Sequence, residues 1–296
     1  MIQIKECPVC RSKSFNPVFE ATDYVVSGDS FSIVECGSCR IRLTQPIPDE
    51  KEILPYYDTD DYVSHSETTR GFINRLYAVV RKAMIIRKRK LAQSLGPGGS
   101  RRLLEIGCGA GAFLNEMYRS GWEVLGIEPN RRVRDTVIER YGLAVISPEE
   151  WFTQPKSSYD VIALWHVLEH LHDLDDYLRR ISTSLEDEGV LIVAVPNYCS
   201  YDAGYYQSRW AAYDVPRHLY HFTCESLIDL LKRYGLTVTA IRRLPFDAFY
   251  VSMLSEKYQE GFTARGLWIG LISCLQAWVD VKRSSSIIYV ARHANS

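Results

Sequence analysis

The sequence predicts an α/β fold, a largely parallel sheet with helices on both faces, carrying a small cysteine-bearing module at its N-terminal end. Three observations predict it. From Arg101 onward, near-continuous apolar strands alternate with amphipathic helices, the pattern of a sheet buried on both sides. The first of those strands runs into the turn Gly107-Cys108-Gly109-Ala110-Gly111, which opens a helix. Ahead of both, two C-x-x-C pairs stand 25 residues apart.

Residues 1–60 are rich in Cys, Pro, Asp and Tyr and read as a zinc-ribbon-like module. Cys7 and Cys10, with Cys36 and Cys39, place four soft ligands on two tight turns, a donor set for a tetrahedral structural zinc. A single C-x-x-C suits redox chemistry, whereas a matched pair suits a metal. Between them, Arg11 to Glu35 has the pattern of a hairpin, and Cys108, Cys199, Cys224 and Cys274 are scattered packing residues. Residues 61–99 form a linker helix, with apolar side chains at 72, 73, 76, 79, 80, 83, 84 and 91 and a stop at Gly96-Pro97-Gly98-Gly99.

Residues 100–296 carry the main domain. Its strands are LLEIG, WEVLGIE, LAVI, YDVIALW and VLIVAVP, separated by helices. Thr223 then caps the helix CESLIDLLKRY, Gly235 ends it, and LTVTAIRRL and SIIYVARH supply a sixth and a seventh strand around an insertion at 244–285. Asp173 is placed to cap the helix DLDDYLRRISTSL.

Composition narrows the class. With 46% hydrophobic and 24% charged residues in 296, the chain is neither disordered, collagen-like nor a coiled coil. Thirty-five Lys+Arg against 36 Asp+Glu give a net charge of -1, which argues against a nucleic-acid partner. The first twenty residues lack a signal-peptide pattern, so a cytoplasmic protein with reduced cysteines is expected. The apolar run Gly266 to Val279 is shorter than the roughly 20 residues that span a bilayer.

The glycine turn marks a cofactor site, because glycines admit a ligand close to the backbone and the helix N-terminus offers free N–H groups. Its spacing also satisfies the dinucleotide pattern, so the glycines alone do not choose the cofactor. Glu105 does. A carboxylate at the end of the first strand repels a pyrophosphate and attracts an amino-acid ammonium, which points to S-adenosylmethionine rather than NAD. Glu128, at the end of the second strand, is placed to take the hydroxyls of a ribose.

On LLEIGCGAGAFL, GIEPN, YDVIALWHVLEHLHD and GVLIVAVPN, the stretch from about Arg101 to Arg292 resembles the class I SAM-dependent methyltransferases. It is most similar to the ubiquinone-methyltransferase-like group, often found among glycan-biosynthesis enzymes. The resemblance implies a Rossmann-like seven-stranded class I methyltransferase sheet ending in an antiparallel pair. It implies that Glu105, Gly107, Gly109 and Gly111 cradle the methionine part and that Glu128 and Pro129 sit at the ribose. It further implies that Ser147 flanks the adenine and that Trp165 and His166 lie beside the sulfonium.

Residues 197–222 hold eight aromatics among 26 positions and read as a cap over the acceptor, suited to sugar or other ring substrates or to a hydrophobic lid. A hydroxyl acceptor must lose its proton, and His218, His221 and His166 are the candidate bases. The basic run Arg81 to Lys90 reads as a solvated face that also allows contact with anionic lipid. The segment 266–279 has three open roles: a membrane surface, a subunit contact or the core. Oligomeric state is left open. The expected function is methylation of a hydroxyl on a small molecule, such as a sugar, sugar nucleotide or lipid-linked glycan. The alternatives are an RNA methyltransferase that uses the ribbon, and a non-catalytic SAM-binding scaffold.

Overall fold

The computed structural model describes residues 1–57, 72–96, 101–155 and 157–294. The boundary expected at 60/61 and the glycine break at 97–99 lie outside the described residues. The linker helix runs as α1 (Phe72–Leu95).

The main sheet forms in chain order from β4 (Arg102–Ile106), β5 (Glu123–Ile127), β6 (Val145–Ile146), β7 (Tyr159–Trp165), β8 (Leu185–Pro196), β10 (Leu236–Arg243) and β11 (Ser286–His293). Their spatial order is β10-β11-β8-β7-β4-β5-β6. Strands β4 to β8 pair in parallel, and β11 runs antiparallel between β8 and β10, as the resemblance implied. All seven residues of β7 are buried, since successive side chains enter opposite faces and both faces are covered. Leu104, Ile162, Leu164 and Val193 join one apolar cluster, and Leu103, Val161, Ala163 and Ile192 join the other.

Local signals set the helices α2 (Ala112–Tyr118), α3 (Arg131–Tyr141), α4 (Pro148–Thr153), α5 (Leu174–Ser184), α6 (Tyr201–Tyr206) and α7 (Cys224–Lys232). Asn130 caps α3 by accepting from Arg132 and Val133, and Ser147 caps α4 in a reciprocal box with Glu150. Thr223 caps α7 in a box with Ser226, as its position predicted. Asp173 differs from expectation. It stands at the N-cap of α5 without a side-chain cap bond, its backbone being outside the extended region such a bond needs.

The N-terminal module contributes β1 (Phe15–Thr22), β2 (Ser30–Cys36) and β3 (Arg42–Gln45), with β1 and β2 forming the expected hairpin. The module is joined to the main domain by backbone. The short strand β9 (Tyr220–His221) pairs antiparallel with β3, Arg42 opposite His221 and Leu43 opposite Tyr220. Cys7, Cys36, Ile41 and Leu43 share one apolar cluster with Leu104 and Ile162.

The 244–285 insertion folds into α8 (Asp247–Tyr258) and α9 (Thr263–Val279). Small residues set their contact: a Cβ at Gly266 or Gly270 would lie 2.8 Å from the Cα of Met253 or Phe249. The face with Gly266, Ile269, Gly270, Ser273 and Ala277 completes the core, and Leu267, Trp268, Leu271, Leu275 and Trp278 are exposed. No helix among the described residues is long and apolar enough to cross a membrane.

Candidate active site

The glycine turn lies between β4 and α2, at the carboxyl end of the sheet. Gly107, Gly109 and Gly111 all have positive φ, at 70°, 50° and 71°, a region that costs other residues about 1–2 kcal/mol. Their surroundings differ. A Cβ at Gly107 would meet Val167 at 2.3 Å and one at Gly111 would meet Val137 at 2.7 Å, whereas one at Gly109 would meet nothing within 4 Å. Gly107 and Gly111 serve packing, and Gly109 faces open space.

Glu128 sits across that space. Its carboxylate accepts from Gly109 N at 3.0 Å and Asn130 N at 2.9 Å, and burial raises its pKa. The Arg134 guanidinium holds the carbonyls of Glu128 and Pro129, each at 2.7 Å, which fixes the start of α3. Ser147 follows β6 on the same edge of the sheet, where Glu128 N donates to Ile146 O at 3.1 Å, and its hydroxyl is engaged in the cap of α4.

Glu105 is buried and its Oε2 has no hydrogen-bond partner among the described residues. Burial pushes its carboxyl up to about 8, and the charge of Lys88 works against that rise. Lys88 reaches the pocket from α1, where burial pushes its ammonium down to about 8. Its Nζ lies 4.4 Å over the ring of Trp165, a cation–π contact. Trp165 packs edge-on against Phe113, and its indole N–H is buried without a partner among the described residues. The orphaned carboxylate oxygen, the orphaned indole N–H and the open side of Gly109 fit a ligand that combines an ammonium, a ribose and a flat ring, as S-adenosylmethionine does.

Next along the chain, His166 has φ 58°, and its Nε2 is buried without a partner among the described residues. Its Nδ1 lies 3.4 Å from Glu169 Oε1. The other two candidate histidines stand farther along the chain. His218 Nδ1 donates to Ala212 O at 2.8 Å, and its Nε2 is 3.9 Å from Asp214 Oδ2. His221 lies on β9, with Nε2 3.1 Å from Thr44 Oγ1 of the module. Burial lowers its pKa well below the usual histidine range.

The aromatic loop is largely core. Tyr198, Tyr206, Trp210, Tyr213, Tyr220 and Phe222 are buried, while Tyr205 is exposed. Tyr198, Tyr206, Trp210 and Tyr213 pack with Phe31 and Ile33 of the module and Val251 of α8. These rings bond the loop to its neighbours.

The four cysteine sulfurs of the module lie within 4.8 Å of one another, with Cys7 to Cys39 and Cys10 to Cys36 at 3.5 Å. The residue after each C-x-x-C, Arg11 and Arg40, has positive φ, and its N–H donates to the carbonyl of the first cysteine, Cys7 at 2.9 Å and Cys36 at 3.1 Å. Two equivalent turns thus present four soft donors in a set that suits a tetrahedral metal.

Sequence reasoning missed three residues at this site. Lys88 was hidden in a basic run read as solvated. Asp247, which opens α8, accepts from Ser286 Oγ and acts electrostatically on Lys88 and His166. Glu169 stood in the quoted HVLEH motif, and its i,i+3 spacing from His166 was the available signal.

The sheet order, its antiparallel final pair and the glycine turn followed by an acidic residue after β5 define the class: a class I SAM-dependent methyltransferase. The methyltransferase domain family matches residues 78–241, more than half of the sequence, and the chain belongs to it. It is 26% identical over 181 residues to a ubiquinone biosynthesis O-methyltransferase of Rhodopseudomonas palustris, covering 57% of this chain and 71% of that one. Against the human mitochondrial ubiquinone biosynthesis O-methyltransferase it is 26% identical, over 50% of this chain and 44% of the relative. The chain therefore spans less than half the length of this second relative. Among solved structures, the magnesium protoporphyrin IX methyltransferase of Synechocystis superposes with a TM-score of 0.55 at 10% identity, covering 82% of this chain and 99% of that one. A SAM-dependent methyltransferase from Archaeoglobus fulgidus gives 0.50 at 21% identity, covering 71% and 93%. Both show the fold.

Proposed function

We propose that this SAM-dependent methyltransferase acts on a hydroxyl of a small molecule, with His166 as the base and Glu169 positioning it. The observation that carries the reading is the buried Nε2 of His166, unpartnered among the described residues and directly after Trp165 at the end of β7. A ring whose Nδ1 faces a carboxylate and whose Nε2 is free is arranged to take a proton at Nε2. Glu105 and the turn from Gly107 to Gly111 would hold the methionine part, Glu128 the ribose, and the Ser147 edge the adenine. The bound cofactor supplies an electrophilic methyl group. The chain's contribution is to hold the acceptor in line, exclude water and remove its proton.

The relatives are named for O-methylation in ubiquinone biosynthesis, which favours a hydroxyl acceptor on a quinol precursor over the sugar or glycan expected from sequence. Near-neutral charge weighs against RNA. Zinc in the four-cysteine site completes the reading as a structural crosslink of the module. The test is a methyl-transfer screen with labelled SAM across quinol precursors, nucleotide sugars, glycolipids and RNA. Label on a hydroxyl of a small molecule, lost in His166→Ala, is expected. Label on RNA alone, or full turnover in His166→Ala, would overturn the proposal.

A further inference from the structure

From Leu267 to Val279 every exposed residue of α9 is apolar: Leu267, Trp268, Leu271, Leu275, Trp278 and Val279. We propose that this face is a two-fold interface for a second copy of the chain, the two α9 helices lying antiparallel. Trp268 is 61% exposed, Trp278 69% and Val279 91%, while the opposite side of the helix, from Gly266 to Ala277, is sealed in the core. A surface helix ordinarily turns polar side chains to water. The six side chains leave on the order of 700 Å² in the open, above the ~300–600 Å² of the largest patch on a typical monomer and close to the ~800 Å² that each partner gives a stable interface.

The spacing names the partner. The six positions are symmetric about residue 273, since 267 mirrors 279, 268 mirrors 278 and 271 mirrors 275. A two-fold axis at that level sets Trp268 against the partner's Trp278, Leu271 against the partner's Leu275 and Leu267 against the partner's Val279. Such self-complementarity is what a closed contact between identical chains requires. The same axis brings Arg265 level with the partner's Asp280 to within one residue, and it opposes the two helix dipoles. Arg243 stacks on Trp278, its Cζ 3.6 Å from the ring centroid, which orders that ring before association and lowers the entropy lost on binding. The rival occupant is a lipid surface. Helices that lie on anionic lipid are ringed by Lys and Arg facing the headgroups. Here the cations at the two ends are matched by acids, Arg265 by Glu256 at 2.8 Å and Lys282 by Glu225 at 2.7 Å, and Asp280 adds an exposed carboxylate. An apolar face with a balanced rim suits a protein of its own kind.

Sedimentation velocity of the full chain through the micromolar range is expected to give a species of twice the 34.0 kDa chain mass. Trp268→Glu and Leu271→Glu each bury unpaired carboxylates at the contact and should sediment as monomers with unchanged circular dichroism. Leu275→Lys should do the same alone, and mixing it with Leu271→Glu should restore the dimer, because the antiparallel register sets the new ammonium opposite the new carboxylate. A monomeric wild type overturns the proposal, and its flotation with phosphatidylcholine and phosphatidylglycerol vesicles would give the face to lipid instead. A dimer that survives Trp268→Glu and Leu271→Glu, or a mixture that does not reassociate, overturns it equally. If Leu271→Glu fails to fold, the wild-type mass and Trp268→Glu decide.

Discussion

Arg217, in the loop before β9, donates to Asp23 at the tip of β1 across 3.0 Å, and the same nitrogen reaches Asp214 at 2.6 Å. The guanidinium is 2% exposed, and its flanking carboxylates hold its pKa above the ordinary arginine value. This ion group is a side-chain bond between the module and the loop before β9. Replacing Arg217 with Met leaves two carboxylates facing each other and should cost about 3–5 kcal/mol of stability. A denaturant midpoint equal to wild type would remove the group from the list of what holds the module in place.

Glu105 is predicted to recognise the cofactor through its charge. Glu105→Gln should weaken S-adenosylhomocysteine binding by about 1.5–3 kcal/mol, roughly tenfold to a hundredfold, in calorimetry. The sign with pH follows from the raised carboxyl. Below about 8 the group holds its proton, so binding an ammonium releases that proton and affinity rises with pH toward 8. An affinity flat from pH 6 to 8 would contradict the pairing.

Glu128→Ala should lower affinity for the same ligand by a similar factor. It also strands the N–H groups of Gly109 and Asn130, which bond different oxygens of the carboxylate, so Glu128→Gln, which keeps one of the two acceptors, should bind more tightly than Glu128→Ala. Unchanged binding in both variants would take Glu128 out of the site.

For His166→Ala, turnover at saturating SAM should fall by about 10²–10⁴, the usual contribution of a general base. Binding of S-adenosylhomocysteine should stay near wild type. Removing His221, which is engaged with Thr44, should act mainly on stability. The reverse ranking of the two variants in turnover would shift the base role to the loop.

Stripping metal from the four cysteines, or Cys36→Ser, should loosen β1 to β3 and, through β3 and β9, the loop before β9. Turnover is then expected to fall more than cofactor affinity. Full folding and activity in a sample shown to be metal-free would end the zinc assignment.

The parallel sheet, the cap at Thr223 and the glycine turn were legible in the sequence because each rests on local rules, whereas the antiparallel final pair came from the family resemblance. Apolar runs of strand length, a threonine before a helix and glycines at positive φ are conditions that neighbouring residues impose on one another. Glu105 was legible for a similar reason, since its chemistry follows from its distance to the turn. Lys88 and Asp247 were not: α1 directly precedes β4, but which of its basic residues turns inward is set by packing, and α8 lies far from β4 in the chain.

The sequence by itself determined that the protein is an α/β methyltransferase with four paired cysteines, since strand period, turn chemistry and ligand spacing are short-range properties. Tertiary structure alone decided that a basic helix turns Lys88 inward onto Trp165, and that an aromatic loop becomes the seam to the module. It also brought side-chain atoms of Glu169, His170 and His218 within 4.8 Å of one another. Burial creates those relationships: away from water an unpaired charge or lone pair must find a partner, and the partner is whichever segment the folded chain sets beside it.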